Sequence, residues 1–354
     1  MSSLMGKRVL FHAVKWLGLF HVARAVTAKR LRVLCYHGVS LNGESQFRPQ
    51  LFVETPTLRR RLAYLARKRF PVWPLDRAIT ALAQGSLPRR GATVITFDDG
   101  FYSVLRSAVP LLERFGMPAT LYATTYYSVK GTPVFRLVVQ YMLWKTTRPS
   151  IDLVGILPGA DGAATLRTRP ARETVAWRII EHGEAHCGEA QRTALLRELG
   201  ARLGVNYDEI VRTRILSLMT PDELRTAGAR GLDLQLHGHR HRACVDPDVV
   251  GRELEDNRTV LAPLAPSPLR HYAFPSGTWS EATWPALRAA GVTSATTCEP
   301  GLNTDRTPLL ALRRFLDSEA VSQIEFEAEM SGFTDLLRRA RAAVSALRRA
   351  GTPR

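Results

Sequence analysis

Two short stretches carry side chains with an arrangement useful for chemistry. The first is VITFDDG at 94–100. Four apolar or β-branched residues lead into adjacent carboxylates, Asp98 and Asp99, followed by Gly100. A buried strand that ends this way places like charges side by side, where they repel. Such a pair either makes a polar turn or faces a cation. The second is LDLQLHGHRHR at 232–242, another strand-like run followed at once by polar residues, among them His237, His239 and His241. If both stretches end strands on the same rim, the carboxylate pair faces a metal ion. One Asp with two His forms a three-ligand set that leaves coordination positions open. That is the pattern of a catalytic site for Zn²⁺ or a similar divalent ion, because structural sites are closed by four protein ligands. The second carboxylate is then available as a base.

The elements that would position these residues alternate. A strand-like run covers 31–39, and a helical pattern carries Leu58, Leu62 and Leu65. The strand ending in Asp98-Asp99 follows, then a helix near 103–115 that contains Pro110, then a strand over 118–124. This βαβ alternation predicts a mostly parallel sheet with helices outside it. From about 130 to 216 the pattern changes. Helical FRLVVQYMLW and QRTALLRELGARLG flank the Gly/Pro-rich ILPGADGAATLRTRP, which reads as an insertion and a candidate lid. Alternation resumes at Thr220-Pro221-Asp222-Glu223, a capping-box helix start. Strands then read at 232–236, 271–275, 293–297 and 309–315, with helices near 248–262 and 281–290. Six or seven such units predict an α/β fold, a distorted (β/α) barrel of about seven strands with a helical insertion and helical terminal extensions. Sites in such barrels lie where strands end and βα loops begin.

With these residues in place, the sequence resembles the polysaccharide deacetylases, the NodB-homology or family-four carbohydrate esterases. Thr96-Phe97-Asp98-Asp99-Gly100 matches their TFDDG motif. His237-Gly238-His239-Arg240-His241 matches their H-[S/T]-x-x-H in spacing, with Gly238 in the Ser/Thr position. LCYHGVS near the start, MTPDELRTAG and FPSG at 274–277 extend the likeness over about 31–317, outside much of the insertion. The resemblance implies Asp98 as catalytic base and Asp99, His237 and His241 as metal ligands. It also implies hydrolysis of the N-acetyl group of an amino sugar, with Zn²⁺ as the expected ion and Co²⁺, Ni²⁺ or Mn²⁺ as alternatives. Ser276 and Gly277 become candidates for an oxyanion-facing backbone N–H.

The sequence also departs from the family pattern. The position of the arginine that orients the catalytic Asp is Ala273 here, and Arg314 is the candidate to supply that guanidinium from elsewhere. Gly238 lacks the hydroxyl that helps fix the histidine loop. No histidine follows His271, so the late general-acid histidine is missing. His37 and His239 are the candidates to replace it, and His37 is preferred. These departures keep a rival reading open, a catalytically inactive glycan- or lipid-binding protein on the same fold. Trp144, Trp177, Trp279 and Trp284 are candidates to stack on sugar rings.

Composition bounds the partners. The chain has 354 residues with 45% hydrophobic content, enough for a large core. The net charge is +17, of which residues 1–32 supply +7 and residues 333–354 supply +5. A positive excess at the ends argues against a nucleic-acid groove across the middle. VLFHAVKWLGLFHVARAV is too interrupted by basic residues and histidines for a spanning helix or a clean signal peptide. In LLRRARAAVSALRRA, Leu336, Ala340, Val344 and Leu347 share a helical face flanked by arginines. Basic amphipathic ends of this kind suit an anionic membrane surface, and a packed terminal helix with a solvated face is the alternative. The four cysteines form no CxxC pair, which favours a reducing compartment. The expected organisation is an N-terminal extension over 1–30, the catalytic domain over 31–317 and a basic tail over 318–354. A cytoplasmic place peripheral to the inner membrane is expected, with an envelope-exposed place left open.

Overall fold

A computed structural model of the chain defines the backbone of residues 2–350 and the side chains of residues 6–345. Seven strands form the main sheet. They are β1 (Leu31–Tyr36), β2 (Ala92–Asp99), β3 (Ala119–Ala123), β4 (Leu232–Leu236), β5 (His271–Ala273), β6 (Ser294–Thr296) and β7 (Phe315–Leu316). All pairings are parallel, in the spatial order β6-β5-β4-β3-β2-β1-β7. A parallel bridge between Thr296 and Leu312 links the β6 edge to the segment entering β7. The sheet therefore curls until its edges meet, giving the distorted seven-stranded (β/α) barrel expected from the sequence. β1 is buried along its whole length, and β2 is buried through Asp98. Both faces of a parallel barrel strand are covered, which is why these strands read as continuous apolar runs.

Local signals account for the joints. Pro110 sits in the first turn of the helix Val109–Phe115, after a wide π turn over Val104–Ala108. The proline thus starts a helix instead of breaking one. Thr220 and Glu223 form the expected capping box, with the Thr220 N–H donating to Glu223 Oε2 at 2.8 Å.

The insertion holds elements not read from the sequence, among them a short strand pair and a long helix. Ser150–Asp152 pairs antiparallel with Ala163–Thr165 inside the Gly/Pro-rich stretch, and a helix spans Arg169–His186. Its core is continuous with that of the barrel: Phe135, Met142, Ile179 and Leu199 pack in one cluster with Phe97, Leu121 and Leu234. The insertion leaves the barrel beside the second motif, where the Thr125 and Tyr126 N–H groups donate to the His239 carbonyl.

Beyond the strands, Arg61 on the helix Thr55–Arg67 reaches Asp317 just after β7, with Nε to Oδ2 at 2.9 Å. Tyr36 Oη donates to the same oxygen at 2.8 Å, and the Asp317 N–H donates to the Cys35 carbonyl at 2.9 Å. Arg61 and Asp317 are both fully buried. This knot fixes β7 against β1 and so fixes the segment carrying Arg314. Arg61→Ala would leave a buried carboxylate without its cation. It is expected to lower stability by about 3–5 kcal/mol, read as a fall in the denaturant midpoint. An unchanged midpoint would show that the knot does not hold the barrel.

Candidate active site

Asp98 and Asp99 end β2, and the chain turns sharply beyond them. Asp99 (φ 70°) and Gly100 (φ 94°) both take left-handed backbone conformations. Asp98 lies inside the barrel, and Asp99 faces the mouth. The second motif follows β4, and its loop is not extended. Gly238 (φ 75°) and His241 (φ 56°) are also left-handed, which folds His241 back over His237 with ring centroids 4.9 Å apart. Left-handed residues other than glycine carry strain, and two of the six among the described residues are proposed metal ligands, Asp99 and His241.

The two strand ends meet. His237 Nε2 lies 3.4 Å and His241 Nε2 3.3 Å from Asp99 Oδ1. One ligand atom from each of the three residues falls within 4.8 Å of the other two. His237 Nδ1 donates to the Ala273 carbonyl at 2.7 Å, which leaves Nε2 as the free lone pair. A carboxylate and two imidazole nitrogens aimed at one point suit a divalent ion of the zinc class. Burial disfavours a proton on His237, but Asp99 and Asp98 outweigh it and raise the group, so an ion would compete with a proton there. Burial pushes His241 down to about 4, keeping it neutral as a ligand must be. Burial raises the Asp99 carboxyl, but contact with the imidazoles, His237 first and then His241, outweighs it and holds the carboxyl well below the usual range.

Asp98 is held differently. Arg314, fully buried and just before β7, donates Nη1 to Oδ1 at 2.7 Å and Nη2 to Oδ2 at 2.8 Å. Arg314 Nε donates to the Thr297 carbonyl at 2.9 Å, which aims the fork. Burial alone would raise the Asp98 carboxyl; Arg314, then His237, outweigh it and keep it below the usual carboxylate range. Cys35 Sγ donates to Asp98 Oδ2 at 3.5 Å, and burial pushes that thiol far up, so it stays protonated. His37, just past β1, brings a ring nitrogen within 4.8 Å of Asp98 and of Cys35 Sγ.

The structure thus brings Asp98, Asp99, His237, His241, Arg314 and His37 to one barrel mouth. Ala273, in the position of the missing arginine, is buried and offers only its carbonyl to His237. His239 turns away: its Nδ1 meets Thr125 Oγ1 at 2.8 Å and its ring packs on Tyr126. The Gly277 N–H is spent on the Phe274 carbonyl at 2.9 Å, which leaves the Ser276 N–H as the candidate of that pair for an oxyanion. Gly277 instead lets Cys298 approach, since a Cβ there would lie 2.5 Å from that of Cys298. Ser276 is exposed at the rim, with a left-handed backbone. Trp279 stacks on Trp284 with centroids 6.4 Å apart and donates Nε1 to Glu299 at 3.1 Å, while Trp144 and Trp177 lie exposed on the insertion. All four cysteines are free thiols.

Two residues absent from the sequence reading hold the histidine loop. Asn257 and Glu253 lie one turn apart on the helix Pro247–Leu261. Asn257 Oδ1 accepts the His237 N–H at 3.0 Å, and its Nδ2 donates to the Ala123 carbonyl at 3.1 Å and Thr125 Oγ1 at 3.0 Å. Glu253 Oε2 accepts the Arg240 N–H at 2.6 Å. These bonds pin the loop on both sides of Gly238, which has no side chain to do so. The i,i+4 spacing was visible in the sequence; their aim at the loop was not.

Fold and site together define a (β/α) barrel with an Asp–Asp and histidine constellation at its strand ends. The profile of the polysaccharide deacetylase family matches residues 193–295, which hold the histidine motif but not Asp98-Asp99. No curated protein sequence matches the chain. Among solved structures, the Streptococcus pyogenes deacetylase PplD in complex with acetate is similar over 86% of this chain and 99% of its own. Its TM-score is 0.56 at 16% identity. A de-N-acetylase from Aggregatibacter actinomycetemcomitans is similar over 85% and 99%, with TM-score 0.52 and 15% identity. A polysaccharide deacetylase from Bacillus cereus is similar over 86% and 69%, with TM-score 0.51 and 14% identity. At such identities the likeness carries the fold. The resemblance to polysaccharide deacetylases is therefore found twice, by profile and by fold.

Asn257→Ala would free the His237 backbone and strip two buried acceptors of their donor. It is expected to weaken divalent-ion affinity by about 10–100-fold in a metal titration. An unchanged affinity would show that the loop is held by other contacts.

Proposed function

We propose that this chain is a metal-dependent hydrolase that removes the N-acetyl group of an amino sugar, in a polysaccharide or glycolipid precursor, and releases acetate. The observation that carries this reading is the pairing of two sites on one strand end. Asp99 joins His237 and His241, while its neighbour Asp98 is gripped by Arg314. Asp99, His237 and His241 would hold a divalent ion, which when bound would supply Lewis acidity toward water and the acetyl carbonyl. Zinc fits this donor set best, with cobalt, nickel and manganese as alternatives.

The chain's own residues do the rest. Asp98 accepts the proton of the attacking water. Arg314 keeps Asp98 ionised between turnovers and fixes its plane, so the remaining lone pairs point at the mouth. His37, beside Asp98, is placed to protonate the departing sugar amine, the step for which the sequence offers no late histidine. The bonds balance: water adds to the carbonyl, the C–N bond breaks, and acetate and a free amine leave. Arg314 acts through Asp98 and is a positioning residue.

Three variants test the assignment. Asp98→Asn is expected to cut acetate release from N-acetylglucosamine oligomers by about 10²–10⁴-fold. In Arg314→Met, burial acts on Asp98 without the offsetting cation, so its carboxyl rises. The acid limb of the rate profile should move to higher pH, a shift that mere loss of folded protein does not produce. His37→Gln should slow amide cleavage by about 10²-fold yet leave 4-nitrophenyl acetate cleavage intact, because that leaving group needs no proton. Equal loss on both substrates would remove His37 from the acid role. Bound metal with no acetate released from any amino-sugar substrate would favour the glycan-binding alternative.

A further inference from the structure

The terminal helices present an apolar surface that the catalytic reading does not use. The helix Ser2–Trp16 buries Phe11 and Val14, and the helix Leu19–Val26 buries Phe20, against Ile324, Ala328 and Phe333 of the C-terminal helices. A surface helix normally turns polar residues to the opposite side. Here the opposite side is apolar again. Val9 is 65% exposed, Leu10 55%, Trp16 87% and Leu17 65%; Leu19, Val22 and Val26 continue the surface at 41%, 58% and 58%. The spacing is helical: Val9 and Trp16 share one stripe, Leu10 and Leu17 the next, and Leu19, Val22 and Val26 a third.

Among the described residues no single helix is long and apolar enough to cross a bilayer. The two N-terminal helices pass that test only together, and they are bent by 80° at their junction. A bent pair with apolar residues on its outer face lies on a membrane more readily than through it. Charge selects the kind of membrane: residues 1–32 carry +7 and residues 333–354 carry +5. Lys7, Arg8, Lys15, Arg30, Arg338 and Arg339 pair with Glu325, Glu327, Glu329 and Asp335, so among the described residues Arg24, Lys29 and Arg341 are the cations of the two ends left to meet lipid. On the adjoining helix Phe333–Ala350, Val344 is 49% exposed and Arg341 is exposed. Leu347, the fourth residue of the sequence-read face, lies outside the described side chains.

The surface is bolted to the barrel. Buried Arg32, at the start of β1, donates to the Met330 carbonyl at 2.9 Å and to Thr27 Oγ1 at 3.0 Å. Thr27 Oγ1 donates to the Ala23 carbonyl at 2.8 Å, and Arg30 pairs with Asp335 at 2.9 Å. These contacts gather at the N-terminal end of β1, whereas His37 follows its C-terminal end.

We propose that the outer face of the N-terminal helix pair, with the basic C-terminal helix beside it, docks on an anionic lipid surface. The catalytic mouth is carried on the opposite strand ends, about 20 Å of β1 away. The enzyme then works on glycan that projects from the membrane, not on groups buried in it. Docking stands apart from the deacetylase reading and is tested without turnover.

The test is flotation of the full chain with phosphatidylcholine vesicles and with vesicles containing phosphatidylglycerol, alongside light scattering of the free protein. The chain is expected to float with the anionic vesicles and to be partly released by salt. A variant carrying Val9→Ser, Trp16→Ser, Val22→Ser and Val26→Ser should lose flotation by more than about tenfold, with its circular dichroism spectrum unchanged. A single variant, Trp16→Ser, should show an intermediate loss and guards against misfolding of the fourfold one. Failure of the full chain to float, or equal flotation of all three proteins, overturns the proposal. So does a wild-type dimer that the variant converts to monomer, which would assign the face to a second copy.

Discussion

A buried ion pair across the barrel organises this protein. Asp98 on β2 and Arg314 before β7 are both buried, and their two-pronged contact at 2.7 and 2.8 Å ties strands separated by 216 residues of sequence. Neither charge is tolerable there alone, since desolvating one without the other costs several kcal/mol. The pair therefore dictates that β7 close on β1 and that the β2 terminus stay inside the mouth. The Arg61–Asp317–Tyr36 knot, three residues past Arg314, makes that closure rigid.

The same pair divides labour between adjacent carboxylates. Asp98 spends its charge on a guanidinium from the barrel wall, and Asp99 turns through a left-handed backbone toward two imidazoles. Identical side chains one residue apart thus come to different environments, which is how one strand end can offer both a base and a ligand. The repulsion between the adjacent carboxylates is eased because Asp98 meets a guanidinium inside the barrel while Asp99 faces the two imidazoles proposed to share an ion with it.

Much of this was legible in the sequence. Buried parallel strands announce themselves as apolar runs, so β1, β2, β3 and β4 fall within or next to the runs read for them, and the capping box at Thr220 sets the helix before β4. The two motifs were visible because their residues are local in sequence. Arg314 could be named but not aimed, because its direction depends on Thr297 and on the Asp317 knot. Asn257 and Glu253 were missed for the same reason, since a helix period does not say which face meets a loop. The helix Arg169–His186 was missed although Thr168 caps it and Val175, Ile179 and Ile180 form its buried stripe, because the preceding Gly/Pro-rich stretch masked its start. Of the two oxyanion candidates, Gly277 has its N–H engaged by the Phe274 carbonyl, a backbone bond that residue type does not reveal.

The central claim is that Asp99, His237 and His241 grip one divalent ion beside a guanidinium-held Asp98. Anomalous diffraction from crystals soaked in zinc tests it most directly. The account predicts one peak bonded to Asp99, His237 and His241 at ~2.0–2.2 Å, with Asp98 still paired to Arg314. A peak elsewhere, or none with these three side chains ordered, would contradict it.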